Sequence, residues 1–315
     1  MSEVMRGLIQ ISGSRSGLNL SVMAIPVVLL IILTTMAHGF ASLENLANLS
    51  SQITALVIVA LGQMIVALVM GLDLSVGSVI SLVTCVIATG GPLVLTIPLC
   101  FAIGIMVGLI NGWGVAVLRI HPIIMTLSSM TFLQGATLMW QAVPGGHVPK
   151  TFSMIWAGHT LGVPHSLIWS AMCALVLSFV IHHSRFGLHL YAVGSSSVSA
   201  RLNGVASNRV TISAYIVCSL FAVIGGLYLA ARIASGDPKI GASFGLDSIT
   251  AIALGGTQLS GGIGGVASAI IGALSLGLIS NGMNLLGVSP FLQSSAKGLL
   301  LIVAICAQRR KTVGL

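Results

Sequence analysis

Ten apolar stretches follow one another along the chain, at about 20–37, 53–70, 76–90, 94–117, 123–140, 167–181, 211–231, 246–255, 266–280 and 291–307. A helix needs roughly 20 apolar residues to cross the hydrocarbon core of a bilayer, and fewer if it is broken or re-entrant. Within hydrocarbon each backbone N–H and C=O must find its partner inside the protein, which restricts such stretches to helices. The third, eighth and ninth are short and are expected to be tilted, partly buried or not fully spanning. Only 6% of the residues are charged and 56% are hydrophobic, whereas soluble domains are about a quarter charged. A water-soluble fold is excluded. The sequence predicts an all-α polytopic membrane protein, one transmembrane domain over 1–315.

The basic residues orient it. With the amino terminus in the cytoplasm and the stretches alternating, Arg6, Arg15, Arg119, Arg185, Arg201, Arg209, Arg309, Arg310 and Lys311 fall inside. Lys150, Arg232 and Lys239 fall outside, and Lys297 lies within the last stretch. That is the cytoplasmic excess expected of a multi-pass protein, and it sets both termini in the cytoplasm. The net charge of +8 therefore belongs to loops. No basic run is interleaved with aromatics, so nucleic acid is not an expected partner. Arg6 and Arg15 precede an apolar segment long enough to stay as an anchor.

Gly71-Leu72-Asp73-Leu74-Ser75-Val76-Gly77-Ser78 holds one of only five acidic residues. A carboxylate at the bilayer centre costs about 2.5–3.5 kcal/mol on insertion scales, so Asp73 requires a role. Asp73 or Ser75 could cap a helix starting near Val76, or the stretch could be a broken helix lining a solute path; the two are compatible. The tripeptide recurs as Gly245-Leu246-Asp247. Gly108-Leu109-Ile110-Asn111-Gly112 is echoed by Gly277-Leu278-Ile279 with Asn281-Gly282, and His121-Pro122 by Ser289-Pro290. Landmarks in one order at nearly constant spacing suggest two halves, about 20–140 and 167–307. Five stretches separate the copies, so the halves are expected to be inverted, with a pathway near the midplane where they meet. Asp73 and Asp247 would then be a pair of helix-capping residues around the cavity.

Several chemistries lack their residues. Neither Lys150 nor Lys297 stands in a phosphate-binding G-x-x-x-x-G-K-[ST] loop, and the glycines from Gly255 to Gly265 read as an inner loop between helices. The eight histidines show no metal-ligand spacing. Cys85, Cys100, Cys173, Cys218 and Cys306 all lie in apolar runs and are expected to be buried, inert thiols. The outer loop, about 141–166, has an amphipathic piece at Thr151–Trp156. In the polar inner loop, 182–210, the residues Ser195-Ser196-Ser197-Val198-Ser199-Ala200-Arg201-Leu202-Asn203-Gly204 predict a short capped helix on the cytoplasmic face. It is either a docking knob or an ordinary interfacial turn.

Gly71-Leu72-Asp73-Leu74-Ser75-Val76-Gly77 resembles the G-[IL]-D-L-S-V-G signature of ribose-type permease subunits of bacterial ABC importers. Ala192-Val193-Gly194 with Ala200-Arg201-Leu202-Asn203-Gly204-Val205 is similar to that family's inner-loop segment, with Asn203 where a small residue is usual. Gly245-Leu246-Asp247-Ser248-Ile249 through Gly255-Gly256-Thr257 continues the likeness, with Gly245 where glutamate is common, and so does Ser260-Gly261-Gly262. The resemblance covers about Leu20 to Arg310. It implies a transport subunit of the bacterial inner membrane that carries a monosaccharide and has no cofactor of its own. It also implies a second permease subunit, identical or paralogous, a cytoplasmic ABC ATPase that holds ATP and magnesium, a periplasmic sugar-binding protein and membrane lipid. Ser195–Gly204 becomes the ATPase-coupling segment. A sugar pathway would use hydrogen-bonding side chains, and Gln63, Asn111, Gln134, Asn281, Asn284 and Gln293 are candidates beside Asp73, Ser75 and Asp247. Each could instead join helices, at about 0.6 kcal/mol per bond. A permease for a nucleoside, a branched-chain amino acid or a sugar-like signal, or a secondary transporter, is the alternative.

Overall fold

In a computed structural model, residues 20–160 and 162–307 are described. The basic residues Arg6, Arg15, Arg309, Arg310 and Lys311 lie outside them. The chain folds into thirteen helices among the described residues: α1 (Leu20–Met36), α2 (Leu43–Leu68), α3 (Val76–Ile87), α4 (Leu93–Ala116), α5 (Pro122–Trp140), α6 (Lys150–Ala157), α7 (His165–His183), α8 (Arg185–Ser195), α9 (Ser197–Leu202), α10 (Ser207–Ile233), α11 (Phe244–Leu254), α12 (Val266–Leu285) and α13 (Pro290–Ala307). Between α6 and α7 a two-residue ladder pairs β1 (His159–Thr160) with β2 (Val163–Pro164). Six helices are long and apolar enough to cross a membrane, and α1, α3, α11 and α13 are shorter apolar helices. The molecule is a multi-pass helical membrane protein.

Each apolar stretch became a helix, but three boundaries moved. The second begins at Leu43 rather than 53, because Ser42 caps it by accepting the Asn45 amide at 3.2 Å. Polar residues of its first turns, Glu44, Asn45 and Asn48, hid that start. The seventh extends at both ends, over Ser207–Ile233. The ninth is not short: α12 runs on through Asn281-Gly282 to Leu285, 20 residues in all. The third and eighth are short as expected, at 12 and 11 residues. The outer amphipathic piece is α6. The inner loop holds two helices, α8 and α9, where one was expected.

Two long helices form the centre. α10 packs on α4, α2 and α3, while α2 packs on α12, α7 and α11. With the halves expected from the sequence, the second helix of each thus crosses onto the fourth of the other. The fifth helix of each half leans on its own third, α5 on α3 and α13 on α11. Backbones approach closely where glycine removes the side chain. A Cβ at Gly108 would lie 2.5 Å from the Ile216 Cα, and one at Gly112 would lie 2.7 Å from the Ile212 Cα. Small residues in the seam let dispersion replace the hydrophobic drive that lipid does not provide. Exposed side chains of α1, α5, α7 and α13, such as Ile31, Phe132, Phe179 and Ile302, form an apolar outer surface suited to acyl chains.

Candidate functional site

The break between α2 and α3 is tied from four directions. α2 stops when Met70 turns left-handed at φ 63° and the Gly71 amide bonds back to the Val66 carbonyl at 2.9 Å. Residues 71–73 then belong to no helix or strand, and the chain bends at Leu74 before α3. Asp73 Oδ1 accepts the Ser75 amide at 2.9 Å and the Ser75 hydroxyl at 2.6 Å. Asn111 of α4 donates to the Ser75 Oγ at 2.9 Å and accepts from Ser129 of α5. The Gln63 amide of α2, oriented to satisfy both groups, bonds the Asp73 backbone N–H and C=O at 3.0 Å each. The Leu72 carbonyl accepts Thr126 of α5 at 3.2 Å and Tyr215 of α10 at 3.4 Å. Gln63, Asp73, Ser75 and Asn111 are wholly shielded, and Asp73 Oδ2 is left without a partner.

This corrects the capping expectation. Asp73 serves the Ser75 amide ahead of the helix, and Ser75 itself is already helical with no side-chain cap bond. Its hydroxyl is occupied by Asp73 and Asn111, so it has nothing to offer the first turn of α3. The four side chains make a sealed knot whose hydrogen bonds replace those a broken helix loses.

The first turns of α3 and α11 meet. A Cβ at Gly245 would lie 3.0 Å from the Leu74 carbonyl oxygen, and one at Gly77 would collide with the Gly241 carbonyl. The segment entering α11 is stitched along α3 and α5. Thr84 bonds the Asp237 carbonyl at 3.2 Å, the Gly241 amide donates to Ser81 at 3.0 Å, and Gln134 donates to the Pro238 carbonyl at 2.9 Å.

Asp247 does something different from Asp73. It lies in the first turn of α11 and its Oδ2 is 3.0 Å from the Lys297 ammonium of α13. The two Gly-Leu-Asp copies are therefore out of register with the helices: Asp73 precedes α3, while Asp247 is inside α11. Their expected equivalence as capping residues fails, because the Asp247 carboxylate reaches sideways to a cation. The His121-Pro122 and Ser289-Pro290 landmarks do coincide, since each proline opens the fifth helix of its half.

The remaining candidates lie apart from both places. Asn45 and Asn281 exchange amide hydrogen bonds at 3.2 and 3.1 Å between α2 and α12. Gln293 donates to exposed Asn284 at 2.8 Å and to the Val288 carbonyl at 2.9 Å, closing the turn before α13. Among the described residues no three His, Cys, Asp or Glu converge on one point. Cys85, Cys100, Cys173 and Cys218 are buried, but Cys306 is exposed on the outer surface, contrary to expectation.

In the 182–210 segment α9 has the expected caps. Ser196 accepts the Ser199 amide at 3.2 Å, Asn203 donates to the Ser199 carbonyl at 2.8 Å, and Gly204 follows at φ 82°. Ala200 is buried beneath it, while Val198 and Leu202 are exposed at 63% and 84%. α8 connects this helix to the core. Its Tyr191 hydroxyl donates to the Gly264 carbonyl at 2.8 Å, and the Gly262 amide donates to the Leu68 carbonyl at the end of α2 at 3.0 Å. The glycine loop thus spends its backbone on the protein interior.

Residues 45–305 match the family model described as branched-chain amino acid transport system / permease component. The chain belongs to that family. Among curated proteins this permease is 34% identical over 293 residues to the ribose import permease protein RbsC of Escherichia coli K12, covering 90% of the chain and 91% of the relative. It is 30% identical to the L-arabinose transport system permease protein AraH of the same strain, over 90% and 88%. It is 28% identical to the galactose/methyl galactoside import permease protein MglC of Haemophilus influenzae, over 90% and 92%. No solved structure matches it. The permease is a multi-pass inner-membrane transport subunit. Sequence reasoning missed two of its features, the Lys297 partner of Asp247 and the second inner helix. A lone lysine in an apolar stretch was the signal for the first, because a cation there requires a carboxylate within reach.

Proposed function

We propose that the chain is the membrane subunit of an ABC importer for a monosaccharide, which it passes across the inner membrane by alternating access. Its halves, about 20–140 and 167–307, are inverted five-helix units with both termini in the cytoplasm. The similar helix lengths and the reciprocal packing of α2 on α12 and α10 on α4 support this arrangement. The similarity to permeases named for ribose, arabinose and galactose supports a sugar over an amino acid or nucleoside. Working partners are a second permease subunit, a cytoplasmic ATPase that binds ATP and magnesium, and a periplasmic sugar-binding protein.

The observation that carries the reading is α9. A capped helix with two large apolar side chains in the open, standing on α8, which rests against the end of α2, is built to be pushed. Closure of the ATPase would move α9, and α8 would pass the displacement to α2 and the break beside it. The sugar gains nothing from this unless the two states differ in contacts, so the ATPase supplies the differential interaction. Gln63, Asp73, Ser75 and Asn111 act as framework in this reading, a stiff joint around which the half moves.

The test is the double substitution Arg201→Asp with Leu202→Asp in the complex reconstituted with ATPase and binding protein. Uptake of labelled D-ribose, D-galactose or L-arabinose should fall to background while ATP hydrolysis loses its stimulation by the loaded binding protein. Retained uptake would refute the coupling role.

A further inference from the structure

Among the described residues the one salt bridge joins α11 and α13. Charged side chains within spanning segments are rare and face a bundle interior or a water-filled cavity, where they mark solute or ion paths. Asp247 and Lys297 are 13% and 23% exposed, neither sealed like the Asp73 knot nor out in lipid. Lys297 lies near the middle of α13, and Asp247 lies beside the junction where the first turns of α3 and α11 meet. The pair is also unsaturated. Among the described residues the ammonium makes a single hydrogen bond, to Asp247 Oδ2, and it has three protons to give. The other carboxylate oxygen accepts none among the described residues. Alongside them Ala242, Ser243 and Leu246 are exposed, and a Cβ at Gly298 would meet nothing within 4 Å.

We infer that Asp247 and Lys297 form a solute-contact site on the wall of the pathway, gripping two neighbouring hydroxyls of the sugar. One sugar hydroxyl donates to the carboxylate while the oxygen beside it accepts from the ammonium. A donor and an acceptor 3.0 Å apart fit adjacent oxygens of a diol, and such charge-assisted bonds are about twice as strong as neutral ones. The groove between α2, α7 and α12, by contrast, is lined by Leu49, Ile53, Val57 and Leu274. Its Ser50, Thr54 and Ser170 hydroxyls already donate to protein carbonyls, so it has no charged group and no free hydroxyl donor for a sugar. The inference rests on the reading of the chain as a sugar permease.

The experiment uses the complex of permease, ATPase and binding protein in liposomes. Its first arm is wild-type uptake of labelled D-ribose, D-galactose and L-arabinose; a complex that moves none of them overturns the reading of the solute as one of these sugars and this inference with it. The second arm places a thiol beside the intact pair, Leu246→Cys in a Cys306→Ser background, and adds a charged methanethiosulfonate reagent. The thiol should react from water, and the transported sugar should slow the reaction several-fold during turnover. A thiol that is unreactive, or whose rate ignores the sugar while uptake proceeds, overturns the inference alone. The third arm exchanges the charges, Asp247→Lys with Lys297→Asp. This preserves a helix tether but interchanges donor and acceptor, so sugar moved per ATP should fall about tenfold, or about 1.4 kcal/mol, with an unchanged unfolding temperature. Full wild-type uptake in the exchanged protein would reduce the pair to a tether and sink the proposal.

Discussion

The same tripeptide, Gly-Leu-Asp, occurs at the start of both short helices and ends in opposite kinds of site. At Asp73 the helix has not yet begun, so the carboxylate reaches forward to Ser75 and is enclosed by Gln63, Asn111 and Ser129. At Asp247 the chain is already helical, so the carboxylate points across a helix interface to Lys297 and stays partly open. A shift of a few residues relative to the helix start decides whether an aspartate in a membrane becomes a strut or a handle. The strut spends its hydrogen-bonding capacity inside the chain, and the handle keeps some in reserve.

That contrast can be broken by substitution. The largest effect should come from Asp73→Leu. It removes the acceptor of the Ser75 amide and hydroxyl in a shielded site, where each orphaned polar group costs about 1–3 kcal/mol. We expect little folded permease in detergent, measured by size-exclusion and thermal unfolding. Wild-type thermal stability in that variant would show that the knot is dispensable.

Gln63→Leu should follow. It leaves the backbone N–H and C=O of Asp73 unpaired and should lower stability by about 2–4 kcal/mol, while Gln63→Glu should recover part of this by restoring one acceptor. Unfolding temperatures of the pair would check it.

Lys297→Met should cost less, about 1–2 kcal/mol, because the lone carboxylate it leaves is partly solvated rather than deeply buried. The double variant Asp247→Leu with Lys297→Met should regain most of that stability yet transport poorly. A double-mutant cycle read by thermal unfolding gives the coupling energy, and a coupling as large as that of the knot would erase the distinction drawn here.

Leu202→Asp alone should be the mildest for stability, within about 0.5 kcal/mol as for most surface changes, although it should weaken ATPase stimulation. A destabilisation like that of Gln63→Leu would mean that α9 belongs to the core.

Hydrophobic run length located every long helix, because hydrocarbon tolerates no other backbone. It misjudged ends wherever a helix continues into polar residues that face protein, as at Asn45, Ser207 and Asn281. The capped helix at Ser196–Asn203 was legible from short-range chemistry alone, since serine and asparagine caps act within one turn. The site was less legible. Which acidic residue is sealed and which is open depends on the packing of α5 and α13 against the short helices, a long-range outcome that no local pattern contains. The inward use of the glycine loop, through Gly262 and Leu68, was likewise invisible.

The order of synthesis gives the Asp73 knot one more consequence. Gln63, Asp73, Ser75, Asn111, Thr126 and Ser129 all precede Trp140 in the chain. Of the side chains that hold the break, only Tyr215 is made later. The first half therefore emerges into the membrane carrying the partners for its own costliest residue, before α10 exists to cover it. The Asp247–Lys297 pair forms only when α13, the last helix among the described residues, has been made.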